Sequence, residues 1–336
     1  MIHSANVLEL DVAGDIARLN DLAGEWSALA RALPNATPFQ TPEWLLTWWK
    51  HFGSGELRAF IFRRERALAG IVPCFLHHWE GRRQLTLLGS GISDYLEPLF
   101  LPECQCDILE SLSAGLHALG DWDLCCWQDL DAGTPLGGLT SPLWGTALQH
   151  DTPCTEIRLM HDWTRYFGAL PRGLRRNLRR YADKARQIVE PRFFTAGGFQ
   201  EALMNDLIRL HRARWSLQGE SGMIVANRSA QFLREVALRL ASARMLRFFG
   251  LELQQRVVAL ILSFPYKNVL FSYLSGFDPE YQQYGFGKLL LQYSLQHAFE
   301  NGFTSWNFLR GSEPYKLDWG ARIISKRRLV LAKPGV

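Results

Sequence analysis

The chain has 336 residues, 47% apolar and 21% charged, with a formal net charge of +4. That is enough apolar side chain for a large core and too little charge for a dedicated nucleic-acid binder, unless the basic residues are concentrated in one place. The longest aliphatic run, Val257 to Leu262, is too short to cross a bilayer, and the opening MIHSANVLELDVAGDIARL has neither the basic start nor the apolar stretch of a secretory signal, so a cytoplasmic protein with no membrane span is expected. Asp15 to Arg31 has helical periodicity, and TPEWLLTWWKHFG reads as a helix capped by Thr41, with Pro42 at its first position and Gly53 at its end. LRAFIFRRERALAGIVPCFLHHW predicts two strands around a short turn, RRQLTLLG a third and EPLFL a fourth; CDILESLSAGLHALG is helical and DWDLCCWQDL a strand.

The second half repeats this grammar. A basic helix is followed by a strand at PRFFTA, helices at Glu201 to Gln218 and Ser229 to Arg244, and strands at LRFFGLEL, RVVALILSFPY and VLFSYLSGF. A glycine-containing turn and helix come next, then a strand TSWNFL, a loop RGSEPYKLDWG and a closing strand RIISKRRLVLA. Two α/β lobes with mixed sheets, residues 1–160 and 161–336, are expected. No Pro- or Ser-rich linker separates them, which predicts lobes that pack tightly.

Charge is concentrated in RGLRRNLRRYADKARQIVE. Arg172, Arg175, Arg176, Arg179, Arg180, Lys184 and Arg186 fall on one face at helical spacing, and Leu174, Leu178, Tyr181, Ala185 and Ile188 on the other. Such a face is either solvated or a site for an anionic ligand, since clustered guanidinium groups recognise phosphate and carboxylate. The six cysteines show no CxxC pair and no ligand-like spacing to histidine, and read as reduced thiols. No metal is expected, and no G-x-S-x-G elbow points to a serine nucleophile. Trp48, Trp49 and Trp215 are core residues or, in the sharper reading, platforms for a sugar face.

The most informative segment is LSGFDPEYQQYGFGKLLLQYSLQHAFENG, Leu274 to Gly302. A strand runs into a turn with Gly285 and Gly287, and the helix behind it ends at Gly302. The first amides of that helix lack internal partners and lie at the positive end of its dipole, where a phosphate is stabilised. The spacing is neither G-x-G-x-x-G nor a Walker loop, because Lys288 precedes Leu289 rather than Ser or Thr. What remains is Q-x-x-G-x-G, which by itself describes a phosphate turn or an ordinary helix start.

Together with FQTPEWLLTWWKHFG, GIVPCFL, SDYLEPLF, LRRNLRRYADKAR and GSEPYKLDWG, this segment resembles the GNAT superfamily of acyl-CoA-dependent N-acyltransferases. Within it, the chain is similar to the two-lobed branch related to FemAB-type transferases and to CelD-like proteins of polysaccharide operons. The blocks run from about residue 39 to residue 320. The resemblance implies that Gln282, Tyr284, Gly285, Phe286, Gly287 and Lys288 form the turn for the pyrophosphate of acetyl-CoA or another acyl-CoA, and that the strand carrying Leu274 and Gly276 binds the pantetheine arm. LLGSGISDY in the first lobe lacks the Q-x-x-G-x-G spacing, so that lobe is expected to shape the acceptor site, with Asp94 and Tyr95 in it. Tyr315 is where the family keeps a tyrosine that protonates the leaving thiolate; Glu313 and Asp94 are the candidate bases or amine anchors. Arg310, Lys316 and Trp215 are candidate contacts to the acceptor. Each of these side chains also has a purely structural reading, as a cap, a loop anchor or a solvated charge.

The activity implied is acyl transfer, acetyl in the first instance, to an amino sugar or other small amine of envelope or exopolysaccharide metabolism. Two alternatives stand beside it: FemAB-like transfer from aminoacyl-tRNA, in which the basic helix meets the tRNA, and a non-catalytic acyl-CoA-binding or partner module of polysaccharide synthesis. Nucleic acid is a partner only under the first alternative, and the sequence does not define an oligomeric state. Gly285→Val is expected to abolish cofactor binding and leave the fold intact.

Overall fold

The computed structural model describes residues 8–160, 162–187, 190–217, 224 and 227–335; Ile188 of the basic helix, Gln218 and residues 1–7 of the opening segment lie outside them. In chain order the elements are β1 (Leu8–Ala13), α1 (Ile16–Asp21), α2 (Ala23–Ala32), α3 (Pro42–Phe52), β2 (Glu56–Leu57), β3 (Ala59–Arg64), β4 (Ala67–Val72), β5 (Cys74–Trp79), β6 (Arg82–Leu87), β7 (Leu99–Phe100), α4 (Gln105–Leu119), β8 (Leu124–Asp131) and β9 (Gly145–Arg158). Then follow α5 (Trp163–Ala169), α6 (Arg172–Arg186), β10 (Arg192–Gly197), α7 (Glu201–Leu217), α8 (Asn227–Ser242), β11 (Arg247–Leu253), β12 (Arg256–Tyr266), β13 (Val269–Phe277), α9 (Phe286–Glu300), β14 (Ser305–Arg310), α10 (Pro314–Asp318) and β15 (Arg322–Ala332). The chain divides into two compact units, Met1–Thr152 with Ser325–Val336, and Pro153–Ile324.

Local chemistry explains most boundaries. Asp15 caps α1, its carboxylate accepting from the Ala17 amide at 2.9 Å, and the chain kinks at Leu22, so the expected single helix is two. Thr41 precedes Pro42 as expected, but its hydroxyl makes no cap; it donates to the Pro38 carbonyl at 2.7 Å. Pro73 breaks the second expected strand into β4 and β5, because its nitrogen has no hydrogen for the ladder. Four hairpins turn through paired left-handed residues, Glu65–Arg66, Glu80–Gly81, Gln254–Gln255 and Lys267–Asn268, the twist that two-residue connections favour. The segment RGSEPYKLDWG, expected as a loop, contains α10.

In the first unit, β1-β3-β4-β7 form an antiparallel sheet and β15-β8-β6-β5-β2 lie side by side, with β6 and β8 parallel. The closing strand pairs with β8 from Lys326↔Asp131 to Ala332↔Leu124. Trp26, Trp44, Phe60, Phe62 and Trp127 fill the cores of this unit.

In the second unit the order is β10-β11-β12-β13-β14-β9, antiparallel except for β13 with β14. Leu289, Leu290, Leu291, Leu295 and Ala298 of α9 pack with Phe249, Ile261 and Trp306, and Leu174, Leu178 and Ala185 of α6 join the same core. Every buried residue of α6 is apolar or Ala, and its arginines face outward or sideways, as the sequence pattern requires. No helix among the described residues is long and apolar enough to cross a membrane.

Candidate active site

Two features of β13 open a cavity beside it. A register shift against β12, between Leu262↔Leu274 and Ser263↔Ser272, leaves Tyr273 as an extra residue and bends the strand. Pairing with β14 then runs only from Val269↔Ser305 to Phe271↔Asn307. Beyond Phe271 the register with β14 ends, and β13 runs on from Ser272 to Phe277 without it. The resulting cavity of about 420 Å³ is lined by residues of the second unit alone, among them Ser272, Ser275, Gly276, Gln282, Gly285, Gly287, Lys288 and Tyr315.

The glycine turn closes one end. Asp278, almost fully buried, accepts from the Glu280 amide and pairs with Arg256 at 2.7 Å, which fixes the short 3-10 segment Pro279–Tyr284. Gly285 follows at φ +62°, and its carbonyl receives the amides of Lys288 and Leu289, so the amides of Phe286 and Gly287 precede the first bonds of α9. Of the eight residues expected to hold the cofactor, Gln282, Gly285, Phe286, Gly287, Lys288 and Gly276 line the cavity. Tyr284 stacks on Phe286 at 5.7 Å, and Leu274 is buried on β13. Gly276 is needed for a different reason: a Cβ there would stand 2.6 Å from the backbone of α7, at the Leu210 carbonyl carbon and the His211 nitrogen.

Gly285 also departs from the expectation. A Cβ on it would meet the Tyr181 ring at 2.6 Å, so α6 lays an aromatic lid on the turn, with Arg180 and Lys288 at 5.5 and 5.9 Å from the ring centroid. Gly285→Val therefore cannot leave the fold untouched: it combines a left-handed φ with a collision. At Gly287 the nearest atom to an added Cβ is Phe277 Cδ1 at 3.5 Å, an ordinary contact.

On α10, Tyr315 lines the cavity, packs edge-on to Phe308 at 6.2 Å and is 43% exposed. Burial of its hydroxyl, with the Glu313 charge as a second cause and Arg214 opposing, pushes its pKa up to about 12. It is therefore a phenol at any physiological pH. Glu313 is the N-cap residue of α10, and its carboxylate folds over Gly311 and pairs with Lys316 Nζ at 2.8 Å. Lys316, expected to face an anionic acceptor, is 3% exposed; its ammonium also donates to the carbonyls of Arg310 at 2.6 Å and Gly311 at 3.2 Å. Three acceptors use its three hydrogens, so it clamps the loop that carries Tyr315. Arg310 ends β14 and contributes its carbonyl to that clamp.

Asp94 and Tyr95 belong to the first unit, in the connection between β6 and β7. Tyr95 is buried, its ring 6.4 Å from Phe39 and 3.9 Å below Lys326 Nζ. Nearby in LLGSGISDY the space a Cβ would take at Gly89 holds Ser93, Leu45 and Leu96, and the Ser93 hydroxyl both accepts from Trp44 Nε1 and donates to the Gly89 carbonyl. The space at Gly89 is thus filled from within its own unit, whereas an added Cβ at Gly91 would meet nothing within 4 Å.

The cavity also brings together Tyr181, Arg214 and Ser275, from α6, α7 and β13; the family resemblance implies only the backbone amides of Ser275 to Phe277, as an oxyanion site, and nothing in the spacing of the three residues signals that they meet. Arg214 Nη1 donates to Ser275 Oγ at 3.0 Å, and its guanidinium lies 5.5 Å from the Phe277 ring and 5.9 Å from Trp215. Behind it, buried His211 approaches the Ser275 carbonyl through Nδ1 at 3.3 Å, and burial lowers its pKa.

Comparison with known proteins bears on the fold that carries this cavity. Residues 172–317 match the family model described as an acetyltransferase (GNAT) domain. No curated protein matches the chain. Among solved structures, FemX aligns with a TM-score of 0.62 at 10% identity, over 91% of this chain and 95% of that one. L-PGS from Bacillus licheniformis aligns at 0.56 and 12% identity, over 87% of each chain. A tandem GNAT protein from the clavulanic acid biosynthesis pathway aligns at 0.50 and 14% identity, over 98% of this chain and 99% of that one. At such identities the likeness is one of fold. The chain thus has a two-lobed GNAT/FemAB-like fold, and the acetyltransferase (GNAT) domain model matches its residues 172–317.

Proposed function

We propose that the protein transfers an acyl group, acetyl in the first instance, from acyl-CoA to the amine of an amino sugar or another small amine. The observation that carries this is the single cavity in which the Gly285–Lys288 turn, the part of β13 beyond its pairing with β14 and the Tyr315 phenol meet. A pyrophosphate fits the amides of Phe286 and Gly287 with Lys288 beside them. The amides of a pantetheine arm fit the open edge from Ser272 to Phe277, by the strand pairing that β14 gives up.

In the reaction the amine nitrogen bonds to the thioester carbon and the C–S bond breaks. The amine proton passes to solvent, since the carboxylate of Glu313 is paired with Lys316 and does not line the cavity, and the thiolate is stabilised by the Tyr315 O–H. A free thiol ionises near about 8.5, so complete transfer from a phenol at about 12 is uphill by about 5 kcal/mol. Tyr315 acts here as a hydrogen-bond donor to the departing sulfur and keeps its proton; the thiolate is protonated by solvent, which has received the proton that the amine gave up. Lys316 holds α10 in place for that contact and touches no substrate.

Calorimetric titration with acetyl-CoA, longer acyl-CoAs and desulfo-CoA tests the reading, followed by thiol release in the presence of amine acceptors. Saturable binding of desulfo-CoA and acceptor-dependent thiol release support it. Absence of binding removes acyl-CoA as donor and leaves aminoacyl transfer, to which the outward arginines of α6 and the FemX-like fold would then be relevant.

A further inference from the structure

The cavity carries more positive charge than the glycine turn accounts for. It is lined by Arg214 and Lys288, and no Asp or Glu among the described residues lines it. Lys288 sits on the turn. Arg214 lies on α7, attached to Ser275 of β13, and no carboxylate pairs with it among the described residues.

Its hydrogen bonds are also incomplete. Nη1 is committed to Ser275 Oγ, which fixes the plane of the guanidinium against the faces of Phe277 and Trp215. Nε is buried and has no partner among the described residues, and the same holds for His211 Nε2 and Trp215 Nε1 at the neighbouring positions of the helix. Buried polar nitrogens without partners are rare in folded proteins, and three on one helical turn beside a cavity call for a ligand group. The Nε and Nη2 hydrogens of a guanidinium point the same way and form the fork that takes both oxygens of a carboxylate or two of a phosphate. With Nη1 tied back, that fork is the edge left for a ligand. Arg214 also acts electrostatically on the Tyr315 hydroxyl, so the two groups share one part of the cavity.

We propose that Arg214, oriented by Ser275, forms an oxyanion subsite for the acceptor, so that the amine acylated here carries a carboxylate or a phosphate. The proposal rests on the reading of the cavity as an acyltransferase site, and it narrows the acceptors to acidic amines: amino acids, acidic amino sugars and phosphorylated amines. Neutral amino sugars fall outside it. The same fork could be filled instead by a phosphate of the donor, and the experiment separates the two sources.

In ¹⁵N-labelled protein at constant ionic strength, the Nε–Hε resonance of Arg214 is identified by its loss in Arg214→Lys and followed during titration with acetate and with inorganic phosphate. The expected result is a saturable shift with either anion, absent with chloride and retained when desulfo-CoA is saturating. No saturable shift, or a shift that desulfo-CoA abolishes, overturns the proposal; in the latter case the fork belongs to the donor. Thiol release from acetyl-CoA is then compared for amino acids and their amides. Arg214→Gln should raise KM for the acid acceptors by roughly tenfold to a hundredfold more than for their amides; an equal effect on both overturns it. If the native protein binds no desulfo-CoA, the acyltransferase reading fails, and the anion titration still decides whether the subsite exists.

Discussion

Gly287→Ala separates the phosphate role of the turn from its structural role. The added Cβ meets nothing closer than Phe277 Cδ1 at 3.5 Å, and Gly287 has no left-handed φ. In the free protein the change therefore stabilises the first turn of α9, by about 0.5–1 kcal/mol from the lost freedom of the unfolded chain. In the complex the methyl group faces the cavity that Gly287 and Phe277 both line. It pushes a phosphate away from the Phe286 and Gly287 amides, and two charge-assisted hydrogen bonds weaken together. Losing about 3 kcal/mol in this way corresponds to a Kd roughly a hundredfold higher. Gly285→Ala behaves differently: the left-handed φ and the 2.6 Å approach to Tyr181 destabilise the fold itself, by about 2–3 kcal/mol. Calorimetry with desulfo-CoA and urea denaturation of both variants give the four numbers needed. Unchanged desulfo-CoA affinity in a stably folded Gly287→Ala protein would refute the placement of phosphate on these amides.

Tyr315→Phe should lower kcat about tenfold to a hundredfold and leave the Kd of desulfo-CoA unchanged; because the phenol titrates only at about 12, the rate profile of the native enzyme should show no alkaline fall from this group below pH about 10. Lys316→Met leaves the Arg310 and Gly311 carbonyls and the Glu313 carboxylate without their shared donor, and urea denaturation should report a loss of about 2–4 kcal/mol. A full-strength Lys316→Met fold would contradict the clamp. Glu97 of the first unit, which accepts from the Asp131 amide and the Thr134 hydroxyl, is raised by burial from 4.5 to about 7. Its folded form holds a proton that the unfolded form has lost between those values, so stability falls as pH rises through that window, by up to about 3 kcal/mol. Glu97→Gln should remove that share of the pH dependence and be the more stable protein at pH about 8; parallel stability curves for the two proteins would show that Glu97 is charged when folded.

Local patterns in the sequence carried the α/β alternation, the amphipathic basic helix and the glycine turn, because each depends on neighbours within a few residues: the spacing of apolar positions, a capping Asp, a Gly at a left-handed φ. The Q-x-x-G-x-G stretch marked one end of the cavity in this way. Its other walls were not legible from local pattern, and Tyr315 was expected there only through the family resemblance. Tyr181, Arg214, Ser275 and Tyr315 stand on four different elements, and their meeting depends on how β13 bends at its extra residue and parts from β14.

Burial was equally invisible. Lys316 in GSEPYKLDWG reads as a surface cation until folding returns it to the carbonyls of its own loop, and Gly285 reads as space for a phosphate until α6 places Tyr181 over it. RIISKRRLVLA reads as a strand by its alternation, but only pairing with β8 from Lys326 onward assigns its part from Ser325 to the first unit. Periodicity and turn chemistry are properties of a short segment and survive in the sequence; the partner of a charge, the ring over a glycine and the neighbour of a strand are set by contacts between distant segments, which only the folded chain defines.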